Sequence, residues 1–114
     1  VLEYDLRNHL VETAIERKVL SYLDVAGPLG LNMGSPEDRS ALSNMLCEIS
    51  VHEHNNGRPL LSVVVIGREN GVPSKIPGAG FYKMASDLGF EVSDKLMFFV
   101  EELNRVHAYW AKKK

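Results

Sequence analysis

Between Pro59 and Gly67 the chain reads LLSVVVI, apolar at every position except Ser62. A strand with one wet face alternates apolar and polar residues, and this run does not. Both of its faces therefore have to be covered, and its valines and isoleucine favour extended backbone. The run is expected to be the central strand of the core. A chain of 114 residues has room for one such centre, so residues 1–114 are read as a single domain. Its 45% hydrophobic content suffices to wrap that centre once.

The segments around the run are helical in pattern. Leu2, Leu6, Leu10 and Ala14 recur every four residues, with Glu3, Arg7, Glu12, Glu16 and Arg17 on the wet side, which predicts a helix over residues 2–18. Val19, Leu20 and Tyr22 suit a short strand, and LDVAGPLG a short helix at most, because Pro28 and two glycines oppose a longer one. In SPEDRSALSNMLCEIS, Ser35 fits an N-cap, Pro36 the first helical position, and Glu37 and Asp38 the positive end of the helix dipole. That helix should run to about His54 and stop before NNG. GFYKMASDLGF reads as a helix ending near Gly89. Over residues 93–111 a last helix is expected, capped by Ser93, with Leu96, Phe99, Val100, Leu103, Val106 and Trp110 inward and Glu101, Glu102 and Arg105 outward. Val72 to Ile76 could pair with the central strand as an edge, since Pro73 cannot donate to a ladder. The expected fold is α+β: mostly helical, with a small sheet of two or three strands.

Charge is unevenly spread. The formal net charge is -2, yet Arg58, Arg68, Lys75 and Lys83 face only Glu69 between residues 57 and 83, while residues 1–57 carry nine acids and four bases. A locally basic stretch can attract an anion to an acidic chain. RENGVPSKIPGAGFYK, residues 68–83, holds most of it. Gly78 and Gly80 with Lys83 have the flavour of a phosphate loop, but GAGFYK has neither Walker spacing nor the third glycine of the dinucleotide fingerprint. The segment is read first as a stiff connector, and second as a site for an anion or partner formed by Arg58, Arg68, Lys75, Gly78, Gly80 and Lys83.

Other chemistry is thin. His52 and His54 are two apart, a spacing that points them apart on a helix, and a single cysteine, Cys47, allows no internal disulfide or cysteine metal cluster. No metal or cofactor is expected. Cys47 sits beside Leu46 with no basic neighbour and reads as a small, partly buried side chain rather than a nucleophile. Glu53 and Arg58 flank the turn into the apolar run. They read as an ion pair, or alternatively as the centre of a small site in which Glu53 is catalytic. Tyr22, Phe81 and Tyr82 read as core or core edge, with base stacking as the alternative. No apolar run reaches the ~20 residues of a membrane span, and no signal-type leader is read at the start, which is Val1 rather than Met. A cytoplasmic protein is expected.

KVLSYLDVAGPLGL, RSALSNMLCEI and GRPLLSVVVIGRENGVPS…PGAGF occur in the order found in a family of small bacterial proteins of no settled activity, which the chain resembles over roughly residues 18–82. More distantly it resembles the winged-helix part of alkyltransferase-like DNA-repair proteins, which run from a tYG-x-vA segment through a helix to a strand. Their Pro-Cys-His-Arg or Pro-Trp-His-Arg acceptor motif has no counterpart in RPLLSVVVIG. The resemblance therefore implies a winged-helix-like domain and DNA contact, without alkyl transfer.

The functional expectation is a non-enzymatic binding module that uses the basic segment to hold nucleic acid or an acidic protein. The alternative is a small enzyme or nucleotide-ligand binder at Glu53, Arg58 and the 70–81 loop, in which Glu53→Gln abolishes turnover and spares the melting temperature. Homodimerisation through the last helix is a third expectation, with Phe98, Tyr109 and Trp110 adding apolar surface.

Overall fold

The computed structural model describes residues 4–69, 72–73, 77 and 79–112. Five helices carry it: α1 (Tyr4–Ile15), α2 (Tyr22–Leu29), α3 (Pro36–Asn55), α4 (Ala79–Asp87) and α5 (Lys95–Ala111). The β-structure is two short pairs. β1 (Leu20–Ser21) runs parallel to β2 (Val65–Ile66), and β3 (Arg68–Glu69) antiparallel to β4 (Val72–Pro73). The α+β, mostly helical reading holds.

Capping explains most boundaries. Ser35 Oγ accepts the Asp38 N–H at 3.3 Å with Pro36 at the first helical position, as expected for α3. At α2, Ser21 and Asp24 form a capping box, and the helix ends at Gly30 with φ 72°. At α5 the cap is Asp94 rather than Ser93: its Oδ1 accepts from the Met97 N–H at 3.1 Å.

The apolar run is the centre of the core but is not a central strand. Leu61–Val64 form a 3-10 turn, and only Val65–Ile66 extend. The reason lies in its partners. Helices α1, α3 and α5 all pack on the turn, and its polar groups are met by side chains in place of a ladder. Leu60 N–H donates to Glu102 Oε2 at 2.8 Å, Ser62 N–H to Ser50 Oγ at 2.9 Å, and the two serine hydroxyls lie 2.6 Å apart. A fully buried apolar run has no periodicity by which strand and helix differ. Of the edge strand expected over Val72 to Ile76, Val72–Pro73 pair with β3 rather than with this run, in the register Arg68–Pro73 and Glu69–Val72, and residues 74–76 lie outside the described residues.

Helix α5 is rotated from its expected orientation. Phe98, Phe99, Glu102, Val106, His107 and Trp110 are buried. Leu96, Met97 and Val100 stand outside, 61%, 57% and 46% exposed. An aromatic cluster turns it: Phe98 packs against Phe81, Tyr82 and Phe90 with ring centroids 5.8, 6.3 and 5.6 Å away. The same rotation brings Glu102 inward. Phe98 and Trp110 are thus core residues and Tyr109 is half-buried, so the dimer face expected of them is not on the surface. No described helix is long and apolar enough to cross a membrane.

Candidate functional site

Glu53 lies in the last turn of α3 on its buried face. Asn56 and Gly57 then reverse the chain, Gly57 with φ 75°, and the Arg58 N–H returns to the Glu53 carbonyl at 2.9 Å. This turn delivers the Arg58 side chain to the helix it has just left, and Arg58 Nε donates to Glu53 Oε2 at 2.5 Å. The expected pair is therefore present, with an addition. Arg7 of α1 places Nε 2.9 Å and Nη2 2.6 Å from Glu53 Oε1. The carboxylate is fully buried, and the two arginine side chains are 19% and 22% exposed. Arg7 also lies over the Trp110 ring, 5.6 Å from its centroid. Arg7, assigned to the wet side of α1 by periodicity, is half-buried because its guanidinium reaches this carboxylate and its stem covers apolar surface. Chemically the node is a carboxylate with both oxygens occupied and one positive charge in excess, tying α1, α3 and α5 to the start of the apolar run.

Glu102 is a second buried carboxylate, 2% exposed. It takes the Leu60 N–H on one oxygen and Arg105 Nη1, at 2.6 Å, on the other. Residues 58–60 are thus gripped from both sides by acids. Helical periodicity alone turns Glu102 outward. The signal for an inward acid is Leu60 itself: after Pro59, which has no N–H, Leu60 is the next donor of a buried segment and needs an acceptor.

The basic segment divides. The Arg68 backbone belongs to the β3–β4 hairpin; its side chain, together with Lys75 and Gly78, lies outside the described residues. Gly80 and Lys83 belong to α4, which packs on α3. A Cβ on Gly80 would stand 2.9 Å from Ser43 Oγ, so glycine here permits close approach of the two helices. Beside that contact runs a cleft of about 380 Å³, lined by Ser43, Cys47, Val51, Gly80, Lys83 and Met84 among others. Its floor is largely apolar. On its rim Lys83 Nζ pairs with Asp87 at 3.2 Å, fully in solvent, a contact of small energetic weight. Arg58 is not part of this cleft, and Glu53 and Arg58 form one place while Gly80 and Lys83 form another.

Cys47 borders the cleft, with Sγ 4.0 Å from the Gly80 carbonyl. Burial pushes its thiol up from the ordinary range, offset in part by a hydrogen bond with Ser43. On its inner side, a void of about 10 Å³ lies between Tyr22, Cys47, Ser62 and Phe81, room for a single water. Burial, and then the neighbouring Cys47, also raise the Tyr22 phenol. Phe81 and Tyr82 are core residues, 6% and 4% exposed. Among the described residues no three His, Cys, Asp or Glu are gathered as a metal site would require. Compared with known protein families, curated proteins and solved structures, the chain matches none.

Proposed function

We propose that this chain is a non-enzymatic binding module, and that its partner is a protein segment seated in the α3–α4 cleft. The observation that supports this most is the cleft itself, where Gly80 and Lys83 of the basic segment meet an apolar floor of Val51 and Met84. An amphipathic segment with an acidic edge matches that chemistry, its apolar side on the floor and its acid on Lys83. Glu53 and Arg58 serve the fold in this reading, since Glu53 is fully buried between two guanidinium groups.

The test uses peptides selected from a displayed library against the folded chain. Amide shifts on binding should fall on Ser43, Cys47, Val51, Gly80 and Lys83, and Lys83→Glu should weaken acidic binders about tenfold, the scale of one charge-assisted contact. Binders that leave those amides unmoved remove the reading.

A second reading keeps nucleic acid as the partner, with a winged-helix-like domain and the β3–β4 hairpin as its wing. The hairpin register and the basic balance of residues 57–83 favour it. The pairing of Arg58 with buried Glu53 weighs against it, because the guanidinium is turned inward onto that carboxylate and its side chain is 22% exposed. Fluorescence anisotropy with labelled duplex and single-stranded DNA decides: binding should fall steeply with added salt, and no retention at low salt ends this reading.

A further inference from the structure

The outward face of α5 carries a stripe of uncharged residues along its whole length. Leu96, Val100, Asn104 and Ala108 follow one another at intervals of four and are all exposed, with Met97 beside them. Such spacing places them on one ridge of the helix. Glu101 and Arg105 line one edge. Glu101 makes no ion pair among the described residues, and Arg105, 57% exposed, uses one nitrogen on Glu102 and keeps its other donors free.

We infer that this stripe is an interface between two copies of the chain, with the two α5 helices packed antiparallel about a two-fold axis near Leu103. Charge complementarity identifies the occupant and the direction. An antiparallel two-fold pair meets edge to like edge. Antiparallel packing centred at residue 103 sets Glu101 of each copy against Arg105 of the other, giving two opposite-charge pairs. Parallel packing about a two-fold axis would set this edge against the opposite edge of the second helix, and Glu101 and Arg105 of the two copies would not meet. Side-chain size agrees: the bulky half at Leu96, Met97 and Val100 lies over the small half at Ala108 and Ala111 of the second copy. Asn104 falls close to the axis, where its amide can both donate to and accept from its counterpart. This inference is independent of the α3–α4 cleft, which lies on other helices.

Sedimentation across a concentration series tests the interface. The apparent mass should rise from the 12.7 kDa of one chain towards twice that value. Val100→Glu and Glu101→Arg should each weaken association about tenfold or more, by burying an unpaired carboxylate or by opposing like charges. Both positions are exposed, so a far-UV melting curve recorded at a concentration where the chain is monomeric should not move. Direction is read by oxidative cross-linking in a Cys47→Ser background. Asn104→Cys should form a disulfide-linked dimer. Leu96→Cys should not, because antiparallel packing separates its two copies by about 20 Å. A chain that stays monomeric at millimolar concentration, a dimer unmoved by Val100→Glu, or faster cross-linking at position 96 than at 104 overturns the proposal.

Discussion

The Glu102 carboxylate accepts the Leu60 backbone N–H at 2.8 Å from a position 2% exposed to solvent. One side chain of α5 thereby closes the hydrogen bonding of a core segment that has no strand beside it at that point. Truncating it should be costly, while its ion-pair partner matters less. Glu102→Ala leaves a buried N–H unsatisfied and a cavity beside it, and should lower stability by about 2–4 kcal/mol in urea denaturation. Glu102→Gln retains an acceptor oxygen and should lose roughly half as much or less. An alanine variant within ~0.5 kcal/mol of wild type would mean that Leu60 finds another acceptor.

The Glu53 node changes what its substitution should do. A catalytic Glu53 would tolerate Glu53→Gln without loss of melting temperature. Fully buried between Arg7 and Arg58, it should not. Glu53→Gln is expected to cost about 2–4 kcal/mol, less than full removal of a buried ion-pair partner because both arginines can rehydrate. Arg7→Leu and Arg58→Leu should each be milder, since one guanidinium remains. The double variant strands a buried carboxylate and should exceed the sum of the singles by about 1 kcal/mol or more. Additive costs in the double-mutant cycle would break the node into separate pairs.

Gly80 tests how tightly α4 sits on α3. An added methyl meets only Ser43 Oγ, which can rotate away, and alanine favours helix by about 0.5–1 kcal/mol over glycine. Gly80→Ala should therefore stay within about 1 kcal/mol of wild type. Gly80→Val has no such room and should destabilise by about 1–3 kcal/mol. Equal thermal melts for the two variants would show that the helices separate freely.

Cys47 should be a slow nucleophile. Burial raises its thiol above the ordinary range near 8.5, so at pH 8 the native chain should react with iodoacetamide several-fold more slowly than the urea-unfolded chain. The linked effect on stability has a definite sign. Below the ordinary thiol range both states are protonated and this contribution is fully present. As pH rises through that range the unfolded chain ionises first and stability falls. Mass-spectrometric alkylation rates and melting curves at pH 8 and 10 read both effects. Native alkylation as fast as in urea contradicts the burial.

Where local physics decides, the sequence was legible. Ser35–Pro36 opens α3 because cap and proline act within one turn, and NNG ends it for the same reason. The α1 stripe of Leu6, Leu10 and Ala14 is buried as its spacing requires. The Glu53–Arg58 pair was legible too, five residues apart across a tight turn. Other parts depend on partners distant in sequence. Arg7 is 46 residues from Glu53, and Leu60 is 42 from Glu102. No spacing rule connects such pairs.

The apolar run and α5 show the division most clearly. The amino-acid order by itself determined that LLSVVVI is central, because a solid apolar run cannot face water, and that an amphipathic helix lies within residues 93–111. Only the tertiary structure decided that the run turns as a 3-10 coil, because Ser50 and Glu102 satisfy its backbone from neighbouring helices. It also decided which edge of α5 faces inward. An apolar stripe more than half a helix wide leaves that rotation open, and the aromatic cluster at Phe98 together with the buried carboxylate of Glu102 closed it, leaving Leu96, Met97 and Val100 to the outside.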